Sequence, residues 1–335
     1  MTRKGWLLFA AISLFWGISY LFIKVAVREL DPAVVACARV GIAAAVLLPV
    51  AAYRGALRPL RGRWRSVVVL ALVQIAGPFL LISYGEQHIA SSLTSLLIAA
   101  DPLLIALFAL RVDPDERVGG PRLVGLLIGL GGVVALLGLD VGGDGQKLLG
   151  AGLVLLAAAG YAAGALLVKR PAVAAVPSLG VVAAECAVAT VVLAPLAAAR
   201  LPGRPPDATV LASLLVLGLV CTALAWLTFF ALVAEVGASR GAVFTYVNPA
   251  ISVLLGVGLL GEPLSAATVA GFLLIILGSW LSTGGAPPPL RAIGARPRRR
   301  RRADRDDGGA GQGPDTGRRL PHQAGPMSPP RPAAR

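Results

Sequence analysis

Asp101 and Pro102 interrupt an otherwise apolar run, "SLLIAADPLLIALF", that extends from Ser95 to Phe108. At the centre of a membrane helix a charged side chain costs about 2.5–3.5 kcal/mol on insertion scales. Such a carboxylate must face water, pair with a cation or carry a proton, and a group that changes between these states suits proton coupling or cation recognition. The pattern therefore predicts a functional carboxylate at Asp101. The alternative, that it only bonds the loosened backbone beside it, stays open.

The proline of this pair recurs later in the chain, but the charge does not. At an offset of 147 residues "AADPLL" aligns with "YVNPAI", so that Asn248 and Pro249 match Asp101 and Pro102. Each proline removes the helical hydrogen bond to the carbonyl four residues back. We therefore predict a hinge at both prolines, and we consider the aspartate the better candidate for function.

Other ionisable residues within apolar segments are few. Arg39 and Glu185 fall at nearly equivalent repeat positions with opposite sign. Arg39 could pair with Asp101, with Glu185 or with a substrate carboxylate, or it could extend to the headgroups. Lys24, at a helix end, is expected to act as an anchor, and Glu86 and Glu235, also near helix ends, are expected to be solvated.

The sequence offers no residues for enzyme chemistry. It has two histidines, no His/Cys/carboxylate cluster with metal-ligand spacing, and no nucleotide-binding glycine loop. The three cysteines all fall in apolar segments, which argues against a disulfide framework. We predict that the protein is not an enzyme and that it uses no cofactor and no metal.

The elements that position these residues are apolar helices. The chain is 56% hydrophobic and only 14% charged, against about a quarter charged in soluble domains. We expect an all-α integral membrane protein with ten transmembrane helices, because lipid leaves an open backbone no other way to satisfy its hydrogen bonds. The segments are roughly 5–27, 32–52, 66–85, 89–110, 121–139, 148–168, 177–199, 209–233, 238–260 and 267–283.

Basic residues predict the orientation. With the N-terminus inside, the linkers and helix ends carry thirteen Lys and Arg on the inner side and five on the outer side. Both termini are then cytoplasmic. Residues 284–335 hold twelve of the 31 basic residues and little apolar content, so we expect a disordered cytoplasmic tail near anionic lipid, with no nucleic-acid partner.

An internal repeat organises the chain. "SVVVLALV" at Ser66 recurs as "SLLVLGLV" at Ser213, and Gly5–Lys24 aligns with Gly150–Lys169, which places Trp16 opposite Tyr161. We expect two five-helix repeats, 5–140 and 148–283. Because five is odd, the second repeat enters the membrane from the opposite side, which is the inverted arrangement that many secondary transporters use.

Several stretches of the sequence resemble a known family. "LFWGISYLFIKVAV", "ACARVGIAAAVLL" and the long stretch from "GASRGAVFTYVNPA" to "LGSWL", with "GEPL" at Gly261–Leu264, are similar to EamA-type transporters of the drug/metabolite superfamily. The resemblance implies ten-helix, two-repeat carriers whose central cavity is lined by helices one, three, four and their repeat mates. Carried over, it favours the following substrate or coupling-ion residues: Trp16, Gln74, Asp101, Tyr161, Trp226 and Asn248, to which we add Arg39.

We therefore expect a secondary active transporter in the plasma (inner) membrane that exports a small metabolite or amino acid by alternating access, coupled to protons or another gradient. Its partners would be the substrate and the bilayer, with protons and a second copy of the chain as further options. Two alternatives stay open: a broad-specificity exporter of drugs or toxic cations, and a membrane scaffold that transports nothing.

Overall fold

Every regular element in the described part of the chain is helical. The structure is a computed structural model, and it describes residues 2–112, 121–140, 143–237 and 244–282. The predicted tail, 284–335, and the charged turn at 113–118 lie outside these residues. The long helices are α1 (Arg3–Gly17 and Ser19–Ala26), α2 (Pro32–Tyr53), α3 (Trp64–His88), α4 (Ser91–Ile98 and Asp101–Val112), α5 (Pro121–Asp140), α6 (Gly145–Val168), α7 (Ser178–Ala198), α8 (Ala208–Val236), α9 (Phe244–Leu260) and α10 (Ala266–Ser282).

Seven of these helices are long and apolar enough to cross a membrane: α1, α2, α3, α4, α6, α7 and α8. Three shorter apolar stretches lie within α5, α9 and α10, at Leu123–Gly138, Phe244–Leu260 and Thr268–Ser282. The described part of the chain is thus all-helical, and its apolar helices are those of a multi-pass membrane protein. Ten transmembrane helices, their division into two inverted repeats and the domain boundaries stay predictions.

The two helices α3 and α8 share an irregularity that the sequence analysis did not predict. Each contains a π-helical segment, Ala71–Ala76 in α3 and Val216–Leu224 in α8. The two segments overlap when the chain is shifted by 147 residues, so the irregularity follows the sequence repeat. In α8 the Thr222 hydroxyl donates to the carbonyl of Leu217, five residues back, at 2.8 Å. Such segments are rare in proteins as a whole, and those that occur are often found at functional sites.

The two repeated prolines have different effects. The helical hydrogen bonding of α4 is interrupted at Ala99 and Ala100, and the second piece of the helix starts at Asp101. By contrast, α9 runs without interruption through Pro249. The expectation of a break shared by both halves therefore holds for the backbone of α4 only, and the role of either proline as a hinge stays a prediction.

Helices α5 and α10 pack closely against each other through glycines. A Cβ atom added at Gly132 of α5 would lie 2.8 Å from the carbonyl oxygen of Gly271 and 2.9 Å from the amide nitrogen of Ile275, both in α10. Small residues let membrane helices approach this closely. Helices α5 and α10 contribute no described residue to the lining of the central cavity, which the other eight helices surround.

Candidate functional site

A cavity of about 1410 Å³ lies between the helices of the chain. Helices α1–α4 and α6–α9 supply its lining. At one end the lining reaches the exposed residues Arg54, Lys169 and Pro177, and we call this the mouth end. In the opposite direction the lining reaches Ile23 and Ile82, which are fully buried. We call the end beyond them, where α1 and α3 finish, the sealed end.

The cavity brings together all nine residues that the sequence analysis singled out as binding or hinge positions. Its lining includes Trp16, Arg39, Gln74, Asp101, Pro102, Tyr161, Trp226, Asn248 and Pro249. The resemblance suggested a lining from helices one, three and four with their repeat mates, and the structure adds α2 and α7. Lining a cavity is a matter of geometry, so the roles of these residues stay predictions.

Arg39 is held inside the protein and does not extend to the surface. It is 6% exposed, its Nε donates to the Thr222 hydroxyl at 2.8 Å, and its guanidinium lies 4.0 Å from the centre of the Phe79 ring. The ion pairs found among the described residues are Lys4–Glu235 and Arg200–Asp31, so Arg39 is paired with neither Asp101 nor Glu185. Of the four options left open by the sequence, extension to the headgroups is wrong because the side chain is buried, and neither ion pair is formed in this structure. Pairing with a substrate carboxylate stays a prediction.

Two carboxyl groups line the cavity with oxygens that have no hydrogen-bond donor among the described residues. They are Asp101, through Oδ1, and Glu185, through both of its oxygens. Glu185 is 1% exposed and lies on α7. The sequence analysis considered it only as a partner for Arg39. Its position, equivalent to Arg39 in the repeat, is the signal that could have placed it in the site.

Asn248 differs from its repeat mate Asp101 in having partners. With its amide oriented to satisfy them, the side-chain nitrogen donates to the carbonyls of Ser13 at 3.2 Å and Phe244 at 3.1 Å. The first bond joins α9 to α1, and the second supports α9 just before Pro249. A carboxylate could make neither bond, which explains why an amide occupies this position.

Aromatic side chains form one wall of the cavity. Trp16 lies 5.4 Å from Trp226 and 5.0 Å from Phe244, measured between ring centres, and Trp226 lies 5.6 Å from Phe230. Spacings of this size are those of favourable ring pairs. The sequence analysis named Trp16 and Trp226 for the site but not Phe230 or Phe244. The wall offers an apolar surface beside the charged groups.

Gln74 lies on the π-helical segment of α3, where α6 comes close. A Cβ atom added at Gly164 of α6 would lie 2.8 Å from the Oε1 of Gln74. This oxygen is buried and has no donor among the described residues. The side chain lines the cavity, so its amide can serve as a polar contact there.

The sealed end carries a second group of charged residues, outside the cavity lining. The Nζ of Lys24 donates to the carbonyl oxygens of Glu86 at 2.5 Å and Ile89 at 2.8 Å. Glu86 is fully buried, so the expectation that it is solvated is wrong. The last part of α3 packs against α6 and α1, and this packing shields the Glu86 side chain from solvent. Lys24 thus binds the end of α3 instead of anchoring in headgroups.

Comparisons with known proteins fit this architecture. The model of the EamA-like transporter family matches residues 3–138 and again residues 148–284. An uncharacterized transporter of Bacillus subtilis, YvbV, is 28% identical over 277 residues, which cover 82% of this chain and 90% of that protein. The uncharacterized inner membrane transporter YedA of Escherichia coli is 26% identical over 280 residues, or 81% of this chain and 90% of the relative.

A solved crystal structure shares the fold. It superposes with a TM-score of 0.61 at 24% identity and covers 84% of this chain and 97% of the solved one. The family model matches most of the chain in two consecutive copies, and the relatives align over nearly their full lengths. The chain therefore belongs to the EamA-like transporter family.

Proposed function

We propose that the protein is a secondary active transporter that carries a small organic substrate through the central cavity by alternating access. The observation that carries the proposal is the cavity itself, because every residue selected from sequence as a binding or hinge position lines it. Its volume, about 1410 Å³, leaves room for a metabolite-sized ligand together with water. The two halves of ten transmembrane helices would rock against each other around it.

The polar groups of the cavity suit a substrate with at least one charged group and an apolar part. Asp101 and Glu185 supply acceptors for a cationic group, and Arg39 can donate to a carboxylate. The wall around Trp16 and Trp226 can hold an apolar moiety. An amino acid or a related metabolite fits this combination. The aromatic wall also favours a second candidate function, export of lipophilic cations.

Asp101 is the coupling residue of the proposed mechanism. Its buried Oδ1 has no donor among the described residues, so the carboxyl can hold either a proton or a cationic group of the substrate. Binding of the proton would release the cationic group, and binding of the cationic group would release the proton. Protons and substrate would therefore cross the membrane in opposite directions. The mouth end would face the cytoplasm, because Arg54, Lys169 and Arg170 lie there and cytoplasmic loops are enriched in basic residues.

The test of this coupling is Asp101→Asn in proteoliposomes. We expect the variant to lose the stimulation of substrate flux by an imposed pH gradient, because an amide takes up no proton at these pH values. Asp207→Asn, a change of an exposed residue at the start of α8, is the matched control and should keep it. If Asp101→Asn left the rate and its pH dependence unchanged, the coupling role would be wrong.

A further inference from the structure

The turn between α9 and α10 contacts the first two residues of α4, Ser91 and Ser92, at the sealed end. Glu262 accepts hydrogen bonds from the Ser91 amide at 2.7 Å, the Ser91 hydroxyl at 2.8 Å and the Ser92 amide at 2.9 Å. The two amides are among the four that an α-helix leaves without a partner at its start. A carboxylate is stabilised there by both the hydrogen bonds and the helix dipole.

The surroundings of Glu262 are built to accept it. Its own amide donates to the carbonyl of Gly256 at 3.0 Å, which folds the turn back onto the end of α9. A Cβ atom at Gly256 would collide with the Glu262 carboxylate and would lie 3.2 Å from the Ser91 hydroxyl. The hydroxyl of Ser252, also on α9, lies 3.5 Å from the Ser91 carbonyl. Glycine at 256 therefore leaves the space that the carboxylate fills.

The carboxylate is held in its charged form. Burial alone raises the pKa of Glu262, but the hydrogen bonds from Ser92 and Ser91 outweigh burial and lower the pKa below its usual value. An ionised carboxylate makes stronger hydrogen bonds than a neutral group. The contact is thus a charged clasp between residues that the sequence repeat assigns to different halves of the chain.

The contacts at the sealed end differ in what they join. Lys24 binds the end of α3, so both partners belong to the first predicted half. Glu262 belongs to the second predicted half and binds the first. The first piece of α4 also packs against α9 and α6 near this point, and its second piece packs against α6 as well. If the halves rock as proposed, the Lys24 contact moves with its half, and the Glu262 contact must break.

We propose that Glu262 is a positioning residue that holds the sealed end closed, and that its release from Ser91 and Ser92 is the step that opens the cavity at that end. This inference rests on the proposed alternating-access function and identifies one contact that sets which side is open. The Arg200–Asp31 ion pair and the hydrogen bond from the Asp207 amide to Glu29 also join the predicted halves at that end, but near the surface. Glu262 touches no cavity-lining group in this role. Its removal should therefore shift the balance between the two open states without removing a substrate contact.

The test measures access to the cavity, so it requires no knowledge of the substrate. Ser19 lines the cavity on α1, is 4% exposed and becomes a reporter by the nearly isosteric change Ser19→Cys. A membrane-impermeant maleimide is applied separately to each side of the membrane, and labelling of the chain without this change is subtracted. Gly203→Cys, at an exposed site between α7 and α8, marks the sealed-end side and should label equally in every background.

We expect Glu262→Ala to raise labelling of Ser19→Cys from the sealed-end side about tenfold or more, since the change removes three hydrogen bonds to a charged group. Glu262→Gln, which keeps one acceptor oxygen, should give an intermediate rise. Asp144→Asn is the matched control, because Asp144 lies at the same end but caps only its own helix, α6. It should leave the labelling pattern unchanged.

The outcomes separate the inference from the function on which it rests. Unchanged sealed-end labelling in a folded Glu262→Ala protein would overturn the role of Glu262, even if the wild-type protein transports. If Glu262→Ala does not fold, the Glu262→Gln protein decides in the same way. A rise in labelling of the Glu262→Ala variant, together with no flux of any substrate by the wild-type protein, would retain the clasp and contradict the transport function.

Discussion

At the scale of single residues, Arg39 is the buried cation of the cavity, and it is held by neutral partners. Its Nε donates to the Thr222 hydroxyl and its Nη2 lies 3.4 Å from the carbonyl of Cys221, both on the π-helical segment of α8. A buried charge without an opposite charge is costly unless its hydrogen bonds are satisfied. The arrangement fixes the guanidinium in place at the cavity lining, where the proposed function assigns it a substrate carboxylate.

A double-mutant cycle tests this arrangement. Thr222→Val removes the acceptor of Arg39 Nε, and Arg39→Met removes the donor while keeping an apolar side chain of similar length. We expect a coupling of about 1.5–3 kcal/mol in the free energy of unfolding in detergent, the range for hydrogen bonds to charged groups. If the effects of the two single substitutions add up to that of the double mutant within about 0.5 kcal/mol, the contact contributes nothing to stability.

At the scale of elements, the sequence predicts helices and breaks better than it predicts backbone irregularities. The apolar segments and the interruption of α4 follow from local composition and from Pro102. The π-helical segments do not, because "ALVQIA" and "VLGLVCTAL" contain no proline and have ordinary helical composition. The continuity of α9 at Pro249, and the side-chain bond from Asn248 to the Phe244 carbonyl beside it, are seen only in the folded chain.

Most residues of the candidate site could be selected from the sequence alone. Polar and aromatic residues are rare within the apolar segments, so their types and the repeat were sufficient to select them. The burial of Glu86 and the place of Glu185 in the lining were not, because both depend on how helices from distant parts of the chain pack. Tertiary packing decides which face of a membrane helix meets the cavity.

The α5–α10 contact gives a prediction with a neighbouring control. Gly131 and Gly132 are adjacent in α5. A Cβ atom added at Gly131 would have no neighbour within 4 Å, whereas one added at Gly132 would meet the backbone of α10. Alanine favours a helix over glycine by about 1 kcal/mol at either position. Gly131→Ala should therefore stabilise the protein slightly, whereas Gly132→Ala should destabilise it by about 1–3 kcal/mol through overpacking.

Thermal unfolding of the two purified variants beside the wild-type protein measures this difference. The account expects the melting temperatures to move in opposite directions. A Gly132→Ala protein as stable as Gly131→Ala would mean that the two helices can separate freely, and that their close approach is not required by the fold.

At the scale of the whole molecule, the cavity reaches exposed residues at one end and stops short of the other. The mouth end carries the basic residues Arg54 and Lys169, and at the sealed end Lys24 binds the end of α3 while Glu262 binds the start of α4. Among the described residues, a cavity lined in this way reaches the surface at the mouth end only. In a transporter built from inverted repeats, the exchange of roles between the halves would produce the opposite state.

The measurement that tests the central claim most directly is counterflow in proteoliposomes loaded with unlabelled amino acids, sugars and lipophilic cations. A labelled tracer of each class is added outside, and its uptake is followed against protein-free vesicles. We expect transient accumulation of at least one tracer above its equilibrium level, because a carrier exchanges bound substrate across the membrane without net energy input. No accumulation of any class would contradict the transporter account and favour a membrane scaffold.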